Sequence, residues 1–376
     1  MPRFTAYFLD FKSGLHVGQG AESLQETLPY LPADTLFAAM VSAWRHLGGD
    51  ATALVHPFVS DPPQPPFLLT SAFPYAGRVR FYPFPVDWGV VFSSQRRRDV
   101  AYGKMLKRIR YFSEGLMRKA QAGEPLDAYL FPADEEAEPE RGVALQGGAL
   151  WLLKEEVGLL PKALHQDRPL RALRHVNVWR EQRVPRVTVD RVSQGAVIYH
   201  SARVVFAQEC GLWFGVAWRY PEQEVAPGLT YHAVLAQILK ALEAQGVGGE
   251  RSSGYGAFSL KASEEIDLPE PQPDRRALLL SRYHPREDEV AAALQKEGTA
   301  YTLVAVGGWL HSPDEKAQRR KRLWLVNEGS LVGWKEGGLI GNVPDVRPEY
   351  NGVTFRHPVY RYGLAVATAW PQGPDH

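Results

Sequence analysis

The stretch Thr230-Tyr231-His232-Ala233-Val234-Leu235-Ala236-Gln237-Ile238-Leu239-Lys240-Ala241-Leu242 runs through Gln245 into Gly246-Val247-Gly248-Gly249-Glu250-Arg251-Ser252-Ser253-Gly254-Tyr255-Gly256. Apolar groups at Tyr231, Val234, Leu235, Ile238, Leu239 and Leu242 recur at helical spacing, which predicts a helix over 230–244 with Thr230 as its N-cap. Five glycines in the next eleven residues break it, and a strand-like run follows to Leu260. Because the helix precedes the glycines and a strand follows them, the loop is neither a P-loop nor a dinucleotide fingerprint. Bare backbone of this kind admits a phosphate or a sugar closely. A helix C-cap accounts for Gly246, but not for Gly254 and Gly256 framing Tyr255 just after Arg251, Ser252 and Ser253. An RNA-backbone contact is the expectation for that loop.

Working outward, Val197 to Ala207 and Leu212 to Tyr220 are apolar runs that read as a hairpin joined through Cys210-Gly211. Arg3 to Phe11 is aromatic-rich and reads as a first strand, followed by a loop with Gly14, Gly18 and Gly20. Leu36, Phe37, Met40, Trp44 and Leu47 predict another helix, with Asp34 as its N-cap and Gly48-Gly49 as its end. Residues 50–195 read as irregular, with Pro62 to Pro66 as a stiff connector. With that segment set aside, the order is strand, helix, hairpin, helix, strand, the βαββαβ ferredoxin-like plan of RNA-recognition modules. The expected class is therefore α+β. Residues 1–265 form a ferredoxin-like domain with a large insertion at about 50–195. After the linker Pro269 to Asp274, residues 275–376 form a second such domain, with strands at 277–283, 301–310, 322–333 and 359–369 and a helix over 286–297.

Composition narrows the function. The chain has 376 residues, 45% hydrophobic and 23% charged, enough for a sizeable core. No apolar run is long enough for a membrane-spanning helix, the N-terminus shows no leader pattern, and Cys210 is the single cysteine. A cytoplasmic protein without a disulfide framework or thiolate zinc cluster is expected. The net charge of +1 hides an asymmetry. Residues 96–119 hold nine Lys/Arg against Asp99 and Glu114, and 168–203 hold eight Arg against Glu181 and Asp190, whereas 124–140 hold seven carboxylates and no base. Such local concentration points to a polyanion site.

In the first basic block Lys104, Lys107, Arg108 and Arg110 interleave with Tyr102, Tyr111 and Phe112, a pattern suited to phosphates and splayed bases, although a solvated helix face has the same spacing. Val184-Pro185-Arg186-Val187-Thr188-Val189-Asp190-Arg191 alternates like an edge strand, with Arg186 and Arg191 as candidate phosphate ligands. Enzymatic signatures are thin: His-Glu-x-x-His and Gly-x-Ser-x-Gly are absent, and Gly48-Gly49-Asp50 continues with Ala51. His16 is the one candidate general base, with RNA contact or packing as its other readings. No cofactor or metal is expected.

Leu15-His16-Val17-Gly18, Ala33-Asp34-Thr35-Leu36-Phe37, Val189-Asp190-Arg191, the loop Gly248 to Gly256, and His357-Pro358-Val359-Tyr360-Arg361-Tyr362-Gly363 occur in that order. Together they resemble the RAMP-superfamily subunit 4 family of the type III-A CRISPR effector, the Csm complex, nearly end to end. The resemblance implies tandem ferredoxin-like domains with a thumb-like insertion. It also implies a non-catalytic subunit that holds the repeat-derived 5′ handle of the guide (crRNA). Such a subunit docks to the large cyclase/nuclease subunit on one side and to the backbone RAMP subunit on the other. By the same resemblance, His16 to Gly18 and Arg251 to Gly256 line the handle site. The acidic stretch within 124–150 departs from the family pattern. The alternative is a metal-independent endoribonuclease that processes guide precursors, with His16 as general base and Arg251 stabilising the transition state. A scaffold whose basic blocks meet acidic protein surfaces is a third reading.

Overall fold

A computed structural model describes residues 4–18, 25–189, 196–312, 315–338, 341–350, 353–355 and 357–371. Its frame is a large mixed α/β sheet, ten-stranded among the described residues. β1 (Phe4–Phe11) is central, because both of its faces are apolar. Phe4, Ala6 and Phe8 enter one core cluster, while Leu9, with Tyr7 and Phe11 beside it, enters the other. Alternation of period two thus buries one strand on both sides.

The helices α1 (Ala33–His46), α2 (Ala51–Val59) and α7 (Tyr231–Gln245, after the shorter α3 to α6 described below) cover the second face. The expected cap of α7 is present: Thr230 Oγ1 accepts from the Ala233 amide at 3.3 Å. The expected cap of α1 is not. Pro32 occupies the N-cap position, and Asp34, 1% exposed, is turned inward to an ion pair.

Much of the segment expected to be irregular joins the sheet. It supplies β2 (Phe67–Leu69), β3 (Phe73–Ala76), β4 (Val79–Pro83), β5 (Tyr111–Ser113), β6 (Gly142–Leu145) and β7 (Leu150–Leu153). These strands are three to five residues long and almost wholly buried. They carry too few residues for a period to be read from sequence. Between and beyond them lie α3 (Ser94–Arg98), α4 (Val100–Leu106), α5 (Glu114–Gln121) and α6 (Lys162–His165).

The anticipated hairpin around Cys210 is also different. β8 (Trp179–Val189) pairs along its length with β9 (Ala196–Phe206) as a two-stranded ribbon. β10 (Cys210–Trp218) instead enters the sheet between β1 and β3. A turn at Ala207–Cys210, with Glu209 at φ 59°, redirects the chain from one to the other. Burial pushes the Cys210 thiol up to about 12, so it is a neutral packing group. After the short hairpin β11 (Glu224–Ala226) and β12 (Leu229–Thr230) and helix α7, β13 (Phe258–Leu260) and β14 (Glu264–Ile266) flank β1. The path across the sheet is β13-β1-β10-β3-β4-β5-β7-β6.

Past the linker, β15 (Arg276–Leu279) is flanked antiparallel by β20 (Leu331–Gly333) and by β25 (Ala367–Trp370). The helix expected over 286–297 shortens to α8 (Val290–Leu294). Before it, the buried Glu289 carboxylate accepts from Tyr283 Oη at 2.9 Å and the Arg286 amide at 3.1 Å, which fixes a 3-10 turn there. β16 (Leu303–Val306), β17 (Trp309–Ser312), β18 (Glu315–Arg319) and β19 (Leu323–Val326) pair as 16 with 19 and 17 with 18. The short pairs β21 (Gly341–Asn342) with β24 (Gly363–Leu364), and β22 (Glu349–Tyr350) with β23 (Val353–Thr354), complete the described strands. Among the described residues, no helix is long and apolar enough to cross a membrane.

This C-terminal segment is welded to the sheet. Leu278, Leu280, Leu331, Val366 and Trp370 lie in the first core cluster, and Val343, Tyr362 and Leu364 in the second. Asp34 Oδ1 meets Arg282 at 3.3 Å, and Asp34 Oδ2 meets Arg361 at 2.5 Å. Burial alone would raise the Asp34 carboxyl, but Arg282 and Arg361 outweigh it and hold it below its ordinary 3.8. A depressed carboxylate stabilises the fold above that ordinary value and loses its contribution as pH falls through the folded value.

Asp34→Ala leaves two buried guanidiniums with Glu328 as the one carboxylate near them, which costs about 3–5 kcal/mol. A large drop in melting temperature is expected at neutral pH, with the gap to the parent narrowing below roughly pH 4 as the parent's own carboxylate protonates. Equal stability of parent and variant at neutral pH, followed by scanning calorimetry, would refute the weld.

Candidate nucleic-acid interface

Three segments converge at the open end of β1. The loop after β1 is stitched to β9 by a backbone pair, Leu15 N to Val204 O at 2.8 Å and Val204 N to Leu15 O at 2.7 Å. The glycine-rich loop then closes over both. Gly249 N donates to His16 O at 2.8 Å, Gly256 N to Gly14 O at 2.8 Å, and Val247 N to Gly256 O at 3.0 Å. Glycine is required at two of these places. Gly248, at φ +86°, would drive a Cβ into the His16 carbonyl, and Gly256, at φ +78°, would drive one into the Val247 carbonyl.

This corrects part of the sequence reading. The amides of Gly254 and Gly256 are not phosphate donors: the first closes a turn onto Arg251 O at 2.9 Å and the second is held by Gly14. Gly256 is explained by close packing alone. Gly254 is an exposed left-handed cap, at φ 82°, of the 3-10 turn Arg251–Ser253. That turn remains outward: Arg251, Ser252, Ser253 and Gly254 are all exposed. Among the described residues, the amides of Arg251 and Ser252 have no backbone acceptor.

Tyr255, 4% exposed, packs beneath the turn rather than standing free to stack a base. Two cations from the β8–β9 ribbon lie over its ring, Arg186 at 5.3 Å and Arg203 at 5.7 Å from the centroid. Cross-strand register explains the pair: Gln182 faces Arg203 and Arg186 faces Tyr199, so both arginines share one face of the ribbon. Arg203 was not singled out from sequence, and its signal is that face-sharing register, which requires knowing the pairing. Arg191 lies outside the described residues.

His16 is 5% exposed, with Nδ1 at 2.8 Å from the Ala202 carbonyl and its ring beneath Gly249. That bond occupies Nδ1 and leaves Nε2 as the one nitrogen for other chemistry. Gly18 is exposed at the loop's far end. Among the described residues, no group of three or more His, Cys, Asp or Glu side chains can hold a metal ion.

Lys104, Lys107, Arg108 and Arg110 are all exposed, on α4 and the turn leading to β5. β5 stands five strand spacings from β13, roughly 24 Å across the sheet, so this block is separate from the glycine-rich loop. The acidic stretch proves to be a set of internal partners. Glu124 holds Lys119 at 3.2 Å, Asp127 reaches Arg96 at 3.9 Å, Glu135 holds Arg174 at 3.2 Å, and Glu138 pairs with Arg171.

Comparisons with known proteins bear on this arrangement. A family model described as the CRISPR Csm4 C-terminal domain matches residues 272–370. A Thermococcus onnurineus (strain NA1) protein called CRISPR system Cms protein Csm4 is 25% identical over 335 residues, covering 88% of this chain and 89% of that protein. The chain is therefore similar to Csm4 proteins along most of its length, and residues 272–370 match the family's C-terminal domain. A Mycobacterium tuberculosis (strain CDC 1551 / Oshkosh) protein of the same description is 33% identical over 143 residues, covering 37% of this chain and 43% of its own length. In fold, the chain is similar to one in the crystal structure of a Csm3-Csm4 subcomplex of the type III-A CRISPR-Cas interference complex. That match has a TM-score of 0.61 and 16% identity, and covers 97% of this chain and 98% of the other. A chain of a Csm1-Csm4 cassette in complex with AMPPNP matches over 100% of both chains, with a TM-score of 0.53 and 18% identity.

Two substitutions separate packing from exposure in the loop. Gly254→Ala carries only the left-handed penalty of about 1–2 kcal/mol, since its added Cβ would meet no atom within 4 Å. Gly256→Ala adds a backbone clash, so its thermal melt falls clearly further; equal melts for the two variants would show that the loop is not clamped as described.

Proposed function

We propose that this chain is a non-catalytic RNA-binding subunit of a type III-A CRISPR effector ribonucleoprotein, holding the crRNA 5′ handle in antiviral defence. It bridges the large cyclase/nuclease subunit to the backbone RAMP subunit, in the cytoplasm. The observation that carries this reading is the exposed Arg251–Gly254 turn set beside the Arg186 and Arg203 pair on Tyr255. Cations and outward backbone together suit a sugar–phosphate strand, with phosphate contacts fixing its register. Bridging is supported by relatives whose structures are Csm3-Csm4 and Csm1-Csm4 assemblies.

The sheet order supports the domain reading. β13-β1-β10 followed by β2 or β3, with α1 and α7 on one face, is the antiparallel arrangement of a ferredoxin-like RAMP unit within residues 1–265. In this reading the insertion at about 50–195 ends in β8, and the ribbon that β8 makes with β9 is the projecting part. Residues 275–376 are then a second, reduced unit. Burial of His16 beneath Gly249, with Nδ1 engaged, favours an RNA-positioning or packing role over general-base catalysis.

Arg251→Ala tests the handle site on the full chain, using fluorescence anisotropy with a labelled repeat-derived handle RNA across a potassium chloride series. Affinity falls roughly three- to fivefold, and the slope of log K against log salt shrinks by about 0.7 for the lost single-strand phosphate contact. An unaltered slope would remove Arg251 from the interface. In the same tubes without metal the RNA stays intact; cleavage abolished by His16→Ala would establish the nuclease instead.

A further inference from the structure

The C-terminal segment carries a second ribbon that the function above does not use. β16 pairs with β19 and β17 with β18, and the register slips by only one residue between them: Val306 faces Leu323 and Trp309 faces Arg319. The two hairpin pieces are thus one interrupted ribbon over 303–312 and 315–326. Residues two apart on a strand, and residues paired across it, share a face. Val306 and Leu310 are buried, and Leu310 packs with Val346, Phe355 and Val359, which fixes the inner face. The outer face then carries Leu303, Ala305, Gly307 and Trp309 on one strand, with Trp324 opposite Ala305 and Arg319 opposite Trp309.

That face is unusually bare for its composition. Trp309 is 50% exposed, Trp324 58% and Leu303 52%. The Arg319 guanidinium lies over the Trp309 ring at 5.3 Å, and Arg322 is exposed. Gly307 sits between the two tryptophans, and an added Cβ there would meet no atom within 4 Å, so a notch is open. The ribbon is held rigidly from below: Arg361 donates to the Gly307 carbonyl at 2.9 Å, Arg320 N donates to Gly308 O at 3.0 Å, and Lys321 N to Val346 O at 3.1 Å.

We propose that this outer face is a second RNA-contact surface. Two bases of a single strand stack on Trp309 and Trp324, and Arg319 and Arg322 neutralise the phosphates between them. Exposed aromatics interleaved with cations form a stacking platform that tolerates any sequence. The choice of RNA as ligand rests on the reading above, but no residue of the 246–256 loop takes part.

The test uses the full chain and two probes, labelled handle RNA and a labelled single-stranded oligouridylate. Trp309→Ala with Trp324→Ala weakens both probes roughly tenfold or more, and the paired Phe substitutions recover most of that loss because a π-face is restored. Both tryptophans being half exposed, melting temperature stays close to the parent's. Arg322→Ala lowers the salt slope by about 0.7. Ultraviolet crosslinks map to the peptide containing Trp309. Unchanged affinity in the Ala pair, or no recovery with Phe, overturns the proposal. Loss of binding to a purified partner subunit with RNA affinity intact overturns it too, and assigns the face to protein. If Arg251→Ala still weakens the handle while the Ala pair does not, only this inference falls; the reverse pattern sinks only the handle site.

Discussion

One carboxylate holds the two halves of the chain in register. Asp34, near the start of α1, is buried between Arg282 and Arg361, which lie 248 and 327 residues further along. Around it, Arg282 donates to Tyr30 Oη at 3.3 Å, Tyr30 donates to Glu328 at 3.3 Å, and Ser71 Oγ bonds Glu328 as well. Two carboxylates therefore face two fully buried guanidiniums, and every member is tied to backbone or side chain from another element. A hydrophobic replacement of the set would match its stability, so its value lies in specificity. An apolar seam slides, whereas a charged cluster with directional bonds fixes one relative placement of α1, β15 and the Tyr360–Gly363 segment.

That placement reaches the roots of the two ribbons through short hydrogen-bonded paths. Arg361 bonds both Asp34 and the Gly307 carbonyl, so the weld continues directly into the root of the second ribbon. At the other end, the glycine-rich loop fastens the root of the first ribbon through His16, Gly14 and Leu15. Two-stranded ribbons are marginal on their own, and their direction in space is set by what grips their roots. The glycines at 248 and 256 and the buried charges at 34 and 361 therefore do related work in different chemistry.

The parts of this design that were legible in sequence are those written locally. β1, α1 and α7 show their periods, Thr230 its capping role, and the loop its glycines, because each signal lies within a few residues. The parts that were hidden depend on distant partners. Asp34 looks like a cap when its arginines are unknown. β2 to β7 are buried on both faces and too short to show alternation, and β9 carries an apolar pattern that fits β10 as well as β8. The run Arg319-Arg320-Lys321-Arg322 is shorter than the two larger basic blocks and carries no role by itself; only pairing shows that Arg319 meets Trp309 while Arg320 turns inward, its pKa pushed down to about 10 by burial and by Arg361.

The acidic stretch, which sequence left without a role, completes the electrostatic logic. A chain of net charge +1 attracts RNA only where its cations are left uncompensated. Glu135 and Glu138 occupy Arg174 and Arg171, and Glu124 and Asp127 occupy Lys119 and Arg96. Those pairs engage both ends of the first basic block and two arginines near the start of the second. Exposed positive charge remains at 104–110, along the first ribbon, at Arg322 and at Arg251, among other surface positions. Uniform positive charge would bind any polyanion in any pose; cations neutralised everywhere but along particular tracks let a strand settle in one.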